Sequence, residues 1–344
     1  MARQAVAENR FSIMSVGIIP VVDYKSCGLH LSDQQLKKED LYNAGKELVD
    51  AFSTLGFVYL TNSGVDPQLL AEAREITNRF FRLQSSQKQR YSMEESIAFG
   101  YIGLGREEAG YGEVGDFKEA FNFDGNSVFN HPNKLPEDIC PGILDFTKKF
   151  MATGRKLAER IMDSLTMGME LKEESDLKNC HRNLHNEGNI TQMRLNYYGS
   201  AIDNNLKAGR VRLGAHTDWG TFTLLFQDNV GGLQLEHNGD FIDAVPLQNA
   251  IVINIGDSLN LLSCGQLKSK EHRVVVPEEE VRQKLTRHSY VYFLSPDDDA
   301  VINHPLLYKD EEKNEKNFKN LPCPLNFEKL CSQKFAEIHV PKQA

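Results

Sequence analysis

Leu213-Gly214-Ala215-His216-Thr217-Asp218-Trp219-Gly220 is the stretch on which the fold of this chain turns. His216 and Asp218 are separated by one residue, and in a β-strand the side chains at i and i+2 point the same way. An imidazole and a carboxylate there would reach a metal from one side of a sheet. Alone the pair is a weak signal, because a chain with 10 His produces it by chance. Two further segments support it. His272, within Ser269-Lys270-Glu271-His272-Arg273-Val274-Val275-Val276, offers a second imidazole from a distant strand. Arg287-His288-Ser289 then offers a guanidinium and a hydroxyl on one strand face. Two imidazoles and one carboxylate occupy one face of an octahedral ferrous ion and leave the opposite face open to a chelating acid and dioxygen. Arginine stays charged at any working pH, and its planar fork suits a buried carboxylate.

Working outward, short β-rich runs bounded by turn residues surround this stretch: Gln192 to Tyr198, Thr221 to Gln227, Gly232 to Glu236, Ala250 to Ile255 and Ser289 to Leu294. Their spacing predicts a sandwich or jelly roll rather than βαβ units. Upstream, the apolar spacing predicts a helix over Asp33 to Phe52, capped by Ser32 or Asp33, and a strand over Phe57 to Thr61. A second helix is expected from Asp66 to Leu83, starting near Pro67, where a missing N–H costs nothing. A long helix is expected from Pro141 to Leu171, with Phe11 to Val22 as the first strand and Gly100 to Gly115 as a glycine-rich loop. Lys172 to Asn189 reads as a polar stretch, and Lys309 to Lys316 as a charged tract before a C-terminal helical tail.

The fold class expected is mainly β with flanking helices, built on a double-stranded β-helix (jelly-roll) core. Four regions follow: an α/β support over 1–120, a helical connection over 121–190, the core over 191–300 and a tail over 301–344. At 344 residues and 40% hydrophobic content the chain buries a sizeable core. A net charge of -9 without a clustered basic surface argues against nucleic acid as a partner. No run approaches the roughly 18 apolar residues of a membrane helix, so no membrane partner is expected. Six Cys without a CxxC pair predict a reduced, cytoplasmic setting.

Several blocks recur in a familiar order: Ile19-Pro20-Val21-Val22-Asp23, Gly56-Phe57-Val58-Tyr59-Leu60, Gln192-Met193-Arg194-Leu195-Asn196-Tyr197-Tyr198, the His216 stretch, Gly232-Leu233-Gln234-Leu235 and Asn254-Ile255-Gly256-Asp257. With them the chain resembles, over roughly residues 18 to 300, the isopenicillin N synthase-like family of Fe(II)/2-oxoglutarate-dependent oxygenases. The resemblance implies that His216, Asp218 and His272 bind ferrous iron. It implies that Arg287 and Ser289 hold the far carboxylate of 2-oxoglutarate, with Asn196 and Tyr198 as further co-substrate contacts. It also implies the reaction: with dioxygen, 2-oxoglutarate is converted to succinate and CO2 while a C–H bond of a small-molecule substrate is oxidised. Hydroxylation is the default outcome, and ascorbate is a candidate reductant. Family position makes Tyr101, Arg106, Phe121 and Phe293 candidate substrate contacts, each with a core or loop role as the alternative.

Other features carry less. Arg194 shares a face with Asn196 and Tyr198, whereas Tyr197 points the other way, toward core. Gly110-Tyr111-Gly112-Glu113-Val114-Gly115 satisfies GxGxxG in letter, but no strand precedes it and no helix opens from it. Cys180, His181 and His185 read as a polar loop rather than a metal cluster, His237 and His288 as surface or strand residues, and Cys264 as a small buried apolar residue. Three rival functions stand beside the main one: a same-fold iron oxidase that does not use 2-oxoglutarate, a non-catalytic ligand-binding relative, and a zinc hydrolase on the same ligands.

Overall fold

The computed structural model describes residues 14–93, 99–106, 116–317 and 325–339. Thirteen strands among them form two sheets. In chain order these are β1 (Met14–Val16), β2 (Ile19–Asp23), β3 (Phe57–Thr61), β4 (Gly100–Ile102), β5 (Glu119–Asp124), β6 (Gln192–Tyr198) and β7 (Val211–His216). There follow β8 (Phe222–Gln227), β9 (Leu233–His237), β10 (Asp240–Asp243), β11 (Ile251–Ile255), β12 (His272–Val275) and β13 (Arg287–Leu294). The major sheet runs β1-β2-β3-β11-β8-β13-β6-β5-β4, and the minor sheet runs β10-β9-β12-β7. Apart from the β9–β10 hairpin, which stays within the minor sheet, consecutive strands from β6 to β13 alternate between the two sheets, as a jelly roll requires. The N-terminal strands are hydrogen-bonded into the major sheet, β3 against β11 and β5 against β6, and the boundary expected at residue 120 falls inside β5.

Period-two alternation gives the major sheet two different faces. Phe121, Phe123, Leu195, Phe226, Tyr290 and Tyr292 face a layer of helices and form the main core with it. The helix Ile143–Gly168 supplies Phe150, whose ring meets Phe226 edge-on at 5.4 Å, and Gly154, which lies against the ring of Tyr292. Each such side chain, once buried, contributes roughly 1.5–3 kcal/mol. Phe57, Tyr59, Tyr198, Leu233, Leu235, Val252 and Val274 form a second core between the two sheets.

Local chemistry explains where the helices begin and end. Pro67–Phe81 starts with proline in its first turn, and the Asp66 side chain accepts from Gln68 N–H. Ile143–Gly168 is capped from a distance, since the Glu137 carboxylate accepts from Gly142 N–H at 2.6 Å and Leu144 N–H at 3.0 Å. The first helix is shorter than its periodicity predicts and runs Lys38–Thr54. Ser32 bonds Gln35 in a turn, and Asp33 is drawn away to the buried guanidinium of Arg160. This helix lies against Ile143–Gly168 at van der Waals distance: a Cβ at Gly45 would lie 1.9 Å from Ser164 O, and one at Gly168 would lie 2.2 Å from the Gly45 carbonyl carbon.

Three other expectations are corrected here. Within the stretch expected as one strand from Phe11 to Val22, the described residues from Met14 onward form a hairpin of two strands turning at Gly17, and residues 11–13 lie outside the described residues. Part of the expected loop is strand β4, while the GxGxxG stretch lies outside the described residues. Cys264 is exposed, not buried. No helix among the described residues is long and apolar enough to cross a membrane.

Candidate metal centre and co-substrate pocket

β7 ends at His216 and β12 begins at His272, and the two residues are direct cross-strand partners. Asp218 lies two residues beyond the end of β7, in the turn toward β8, so the strand alternation expected to align it with His216 does not operate. The turn does that work instead. Asp218 Oδ1 lies 3.8 Å from Nε2 of each histidine, and the ligand atoms of all three residues fall within 4.8 Å of one another.

Each side chain is oriented by a partner behind it. His216 Nδ1 faces Gly214 O at 2.8 Å and His272 Nδ1 faces Lys270 O at 3.2 Å. A carbonyl only accepts, so Nδ1 carries the proton and Nε2 presents its lone pair to the site. Asp218 Oδ2 accepts from Thr223 Oγ1 at 2.5 Å and from Asn254 Nδ2 at 2.7 Å, which leaves Oδ1 for the metal. Thr223 and Asn254 are themselves cross-strand partners, on β8 and β11. The segments are further tied by Asp257, which accepts from Thr217 and Ser269, pairs with Lys334, and donates its backbone N–H to Asp218 O.

Electrostatics suit a cation. Burial pushes His216 down to about 4, with His272 adding to the effect, so its imidazole is neutral at working pH. Burial works against ionisation of Asp218, yet the positive charge its histidine neighbours carry when protonated, with the Asn254 and Thr223 donors, outweighs it and holds the carboxyl below its usual range. Two imidazole nitrogens and one carboxylate oxygen match the donor set of a facial ferrous site.

On the inner face of the major sheet, β13 pairs with β6 so that Arg287 opposes Tyr198 and Ser289 opposes Asn196. Arg287 is 1% exposed. Its Nε donates to Gly231 O at 2.9 Å, its Nη1 reaches Ser289 Oγ at 3.4 Å, and its guanidinium lies 4.7 Å from the centre of the Tyr198 ring. Asn196 Nδ2 donates to the same Ser289 hydroxyl at 3.3 Å, while Asn196 Oδ1 is buried without a partner. An unpaired oxygen beside a hydroxyl and a guanidinium fits a polar ligand.

The chain belongs to the 2OG-Fe(II) oxygenase superfamily. That description matches residues 189–296, and the N-terminal description of non-haem dioxygenases in morphine synthesis matches residues 19–138. A 2-oxoglutarate-dependent dioxygenase of a Dothideomycetidae species is 29% identical over 288 residues, covering 77% of this chain and 84% of that protein. Naringenin,2-oxoglutarate 3-dioxygenase of Petunia hybrida is 28% identical over 320 residues, covering 91% of this chain and 78% of that one. Among solved structures, a full-length Neurospora crassa protein in complex with alpha-KG and thymine aligns with a TM-score of 0.75 at 26% identity, over 95% of this chain and 99% of that chain. The oxygenase is therefore an oxidoreductase that uses Fe(II) and 2-oxoglutarate on a jelly-roll core.

The candidate substrate contacts divide. Phe293 opposes Thr223 on the inner face, with the Arg194 guanidinium 5.6 Å from its ring centre. Tyr101 and Phe121 are paired with each other on the opposite, helix-facing side and pack edge-on against Phe80 at 6.0 and 5.1 Å. The Tyr101 hydroxyl donates to Glu119, which also pairs with buried Lys88. Both rings are core, because strand parity turns them away from the cavity. Arg106 is exposed on the loop after β4, and residues 107–115, which follow it, lie outside the described residues.

Two histidines read as part of a polar loop, His181 and His185, are buried, and His288, read as a surface or strand residue, lies in strand β13. His181 is buried between Leu177 O and Thr221 Oγ1, His185 bonds the Tyr292 hydroxyl, and His288 is 2% exposed between Asp228 and Asn78. Two residues that orient Asp218 went unassigned in sequence: Thr223 and Asn254. Asn254 did carry a signal, as the one polar residue within the buried strand Ile-Val-Ile-Asn-Ile.

Proposed function

We propose that His216, Asp218 and His272 hold the ferrous ion and that Arg287 and Ser289, assisted by Asn196 and Tyr198, receive 2-oxoglutarate. The oxygenase then hydroxylates a C–H bond of a small molecule lying beside Phe293 and Arg194. The observation that carries this reading is the convergence of both Nε2 atoms and Asp218 Oδ1 within 4.8 Å of one another, beside a jelly-roll strand that carries a buried arginine, Arg287, with no ion-pair partner among the described residues. Bound iron(II) supplies the activation of dioxygen, coupled to decarboxylation of 2-oxoglutarate to succinate. The protein's residues hold the ion's open face toward the cavity, fix the co-substrate at its far end and keep water from the reacting bond. Arg106 remains a candidate contact for an acidic substrate from the loop. Five described cysteines are unpaired, which supports a cytoplasmic setting.

The test is metal content after anaerobic reconstitution, with oxygen consumption and succinate release followed across small-molecule acids, terpenoids and phenolics. His216→Ala, Asp218→Ala and His272→Ala are each expected to lose iron while retaining their circular-dichroism spectra. Undiminished iron in any one removes that residue from the metal. Oxygen uptake with a true substrate but without succinate would overturn the assignment of the co-substrate pocket.

A further inference from the structure

Near Arg287 lies a second buried guanidinium. Arg212 lies on β7, on the minor sheet, and is 1% exposed, as deeply buried as Arg287 on the major sheet. Its Nη2 donates to Gly199 O at 2.6 Å, and its Nε is buried with no partner. Arg212 and Arg287 lie against the same tyrosine ring, 5.9 and 4.7 Å from the centre of Tyr198, so the two charges share one compartment. Neither is paired with a carboxylate among the described residues. Asp228, the acid whose field reaches both, is committed to the backbone N–H and ring of His288.

Two like charges buried together without a counter-ion are unfavourable, and the cost shows: burial first and Arg287 second push Arg212 down to about 10. A compartment with two buried guanidiniums suits an anion. The alignment along β7 indicates which anion. Arg212 precedes His216 by one four-residue step on the same strand, about 13 Å of backbone at roughly 3.3 Å per residue. A diacid chelated to the metal through its keto-acid end would direct its far carboxylate toward this end of the cavity.

We propose that Arg212 is a second anchor for the distal carboxylate of the co-substrate, so that one guanidinium from each sheet grips it. This rests on the reading that Arg287 and Ser289 receive 2-oxoglutarate. The arrangement makes the pocket selective for 2-oxo diacids over 2-oxo monoacids. Because the two arginines belong to different sheets, the bound diacid also ties the sheets together at that end of the jelly roll.

The experiment is anaerobic calorimetric titration of iron-loaded wild type, Arg212→Gln and Arg287→Gln with 2-oxoglutarate, and with 2-oxobutyrate, which keeps the chelating end and lacks the far carboxylate. Losing a charge-assisted hydrogen bond is expected to raise the Kd of Arg212→Gln for 2-oxoglutarate on the order of ten- to a hundredfold, with 2-oxobutyrate binding unchanged. Unaltered 2-oxoglutarate affinity in Arg212→Gln, or equal losses for both ligands, would overturn the proposal and leave Arg212 as a brace for Gly199. Unaltered affinity in Arg287→Gln would overturn the underlying pocket assignment instead. Should Arg212→Gln fail to fold, Arg212→Lys, which keeps the charge but loses the unpartnered Nε donor, is expected to show the same ligand-specific loss to a smaller degree. Equal affinity of Arg212→Lys and wild type for 2-oxoglutarate would then reject the proposal.

Discussion

His216 and His272 face each other directly across the β7–β12 pair, their ring centres 4.4 Å apart, at the point where one strand ends and the other begins. Two residues far apart in sequence are thus adjacent through a single register. The edge of Phe57 supports His272 from the neighbouring sheet at 5.6 Å. The third ligand, Asp218, has no strand to fix it and depends on side-chain donors.

That dependence gives the first prediction. Asn254→Ala removes one of the two donors to Asp218 Oδ2 without touching the metal position itself. Loss of a hydrogen bond behind a ligand typically weakens metal affinity about 10- to 100-fold. Anaerobic Fe(II) titration is expected to show a drop of that order, with Asn254→Asp worse because it sets a second carboxylate against the first. Wild-type affinity in Asn254→Ala would mean that Thr223 alone orients the ligand.

A second prediction separates co-substrate from metal. Arg287→Leu should keep its iron yet require far more 2-oxoglutarate, whereas Tyr198→Phe should cost less. A neutral hydrogen bond contributes about 0.5–1.5 kcal/mol and one to a charged group about 1.5–3 kcal/mol. Titration of both iron-loaded variants checks the order. A larger loss in Tyr198→Phe would make that hydroxyl, not the guanidinium, the principal contact.

Acid sensitivity follows from histidines away from the metal. Burial pushes His181 down to about 4 and His185 down to about 3. Below about pH 6.5 the unfolded chain binds protons at these sites that the folded chain refuses, so stability is complete above that pH and falls as pH drops toward 4. Carboxyls held high by burial, such as Asp163 and Asp298, act in the opposite direction. Urea midpoints measured with excess chelator should therefore decline from pH 7 to pH 5. A flat profile over that interval would show that the two imidazoles protonate within the fold.

The fourth prediction concerns the frame. Gly45→Val places branched carbons where Ser164 O already stands 1.9 Å from an ideal Cβ, and backbone cannot yield as a side chain does. Overpacking commonly costs 1–3 kcal/mol, and about the upper end is expected here. A fall in denaturant midpoint at unchanged slope would register it. Wild-type stability would mean that the two helices slide apart freely.

The sequence by itself determined a good deal. Alternation over Gln192 to Tyr198 and Ser289 to Leu294 specified inner-face partners such as Asn196 and Ser289, because strand parity is a local property that survives any tertiary arrangement. Helical spacing over Ile143 to Gly168 did the same for the long helix. The candidate ligand set was legible too, since only a few residue types offer the donor set of a ferrous site. Other features were decided only by tertiary structure. Tyr101 and Phe121 could not be kept out of the cavity without knowing which face of β4 and β5 meets the helices. Asp218 owes its aim to Thr223 and Asn254, which a register between β8 and β11 brings together. Arg212 resembles any charged strand residue until the second sheet folds over it and removes it from water. Pattern within an element is set by covalent geometry, whereas which elements face each other, and which charges they bury, is set by packing across the chain.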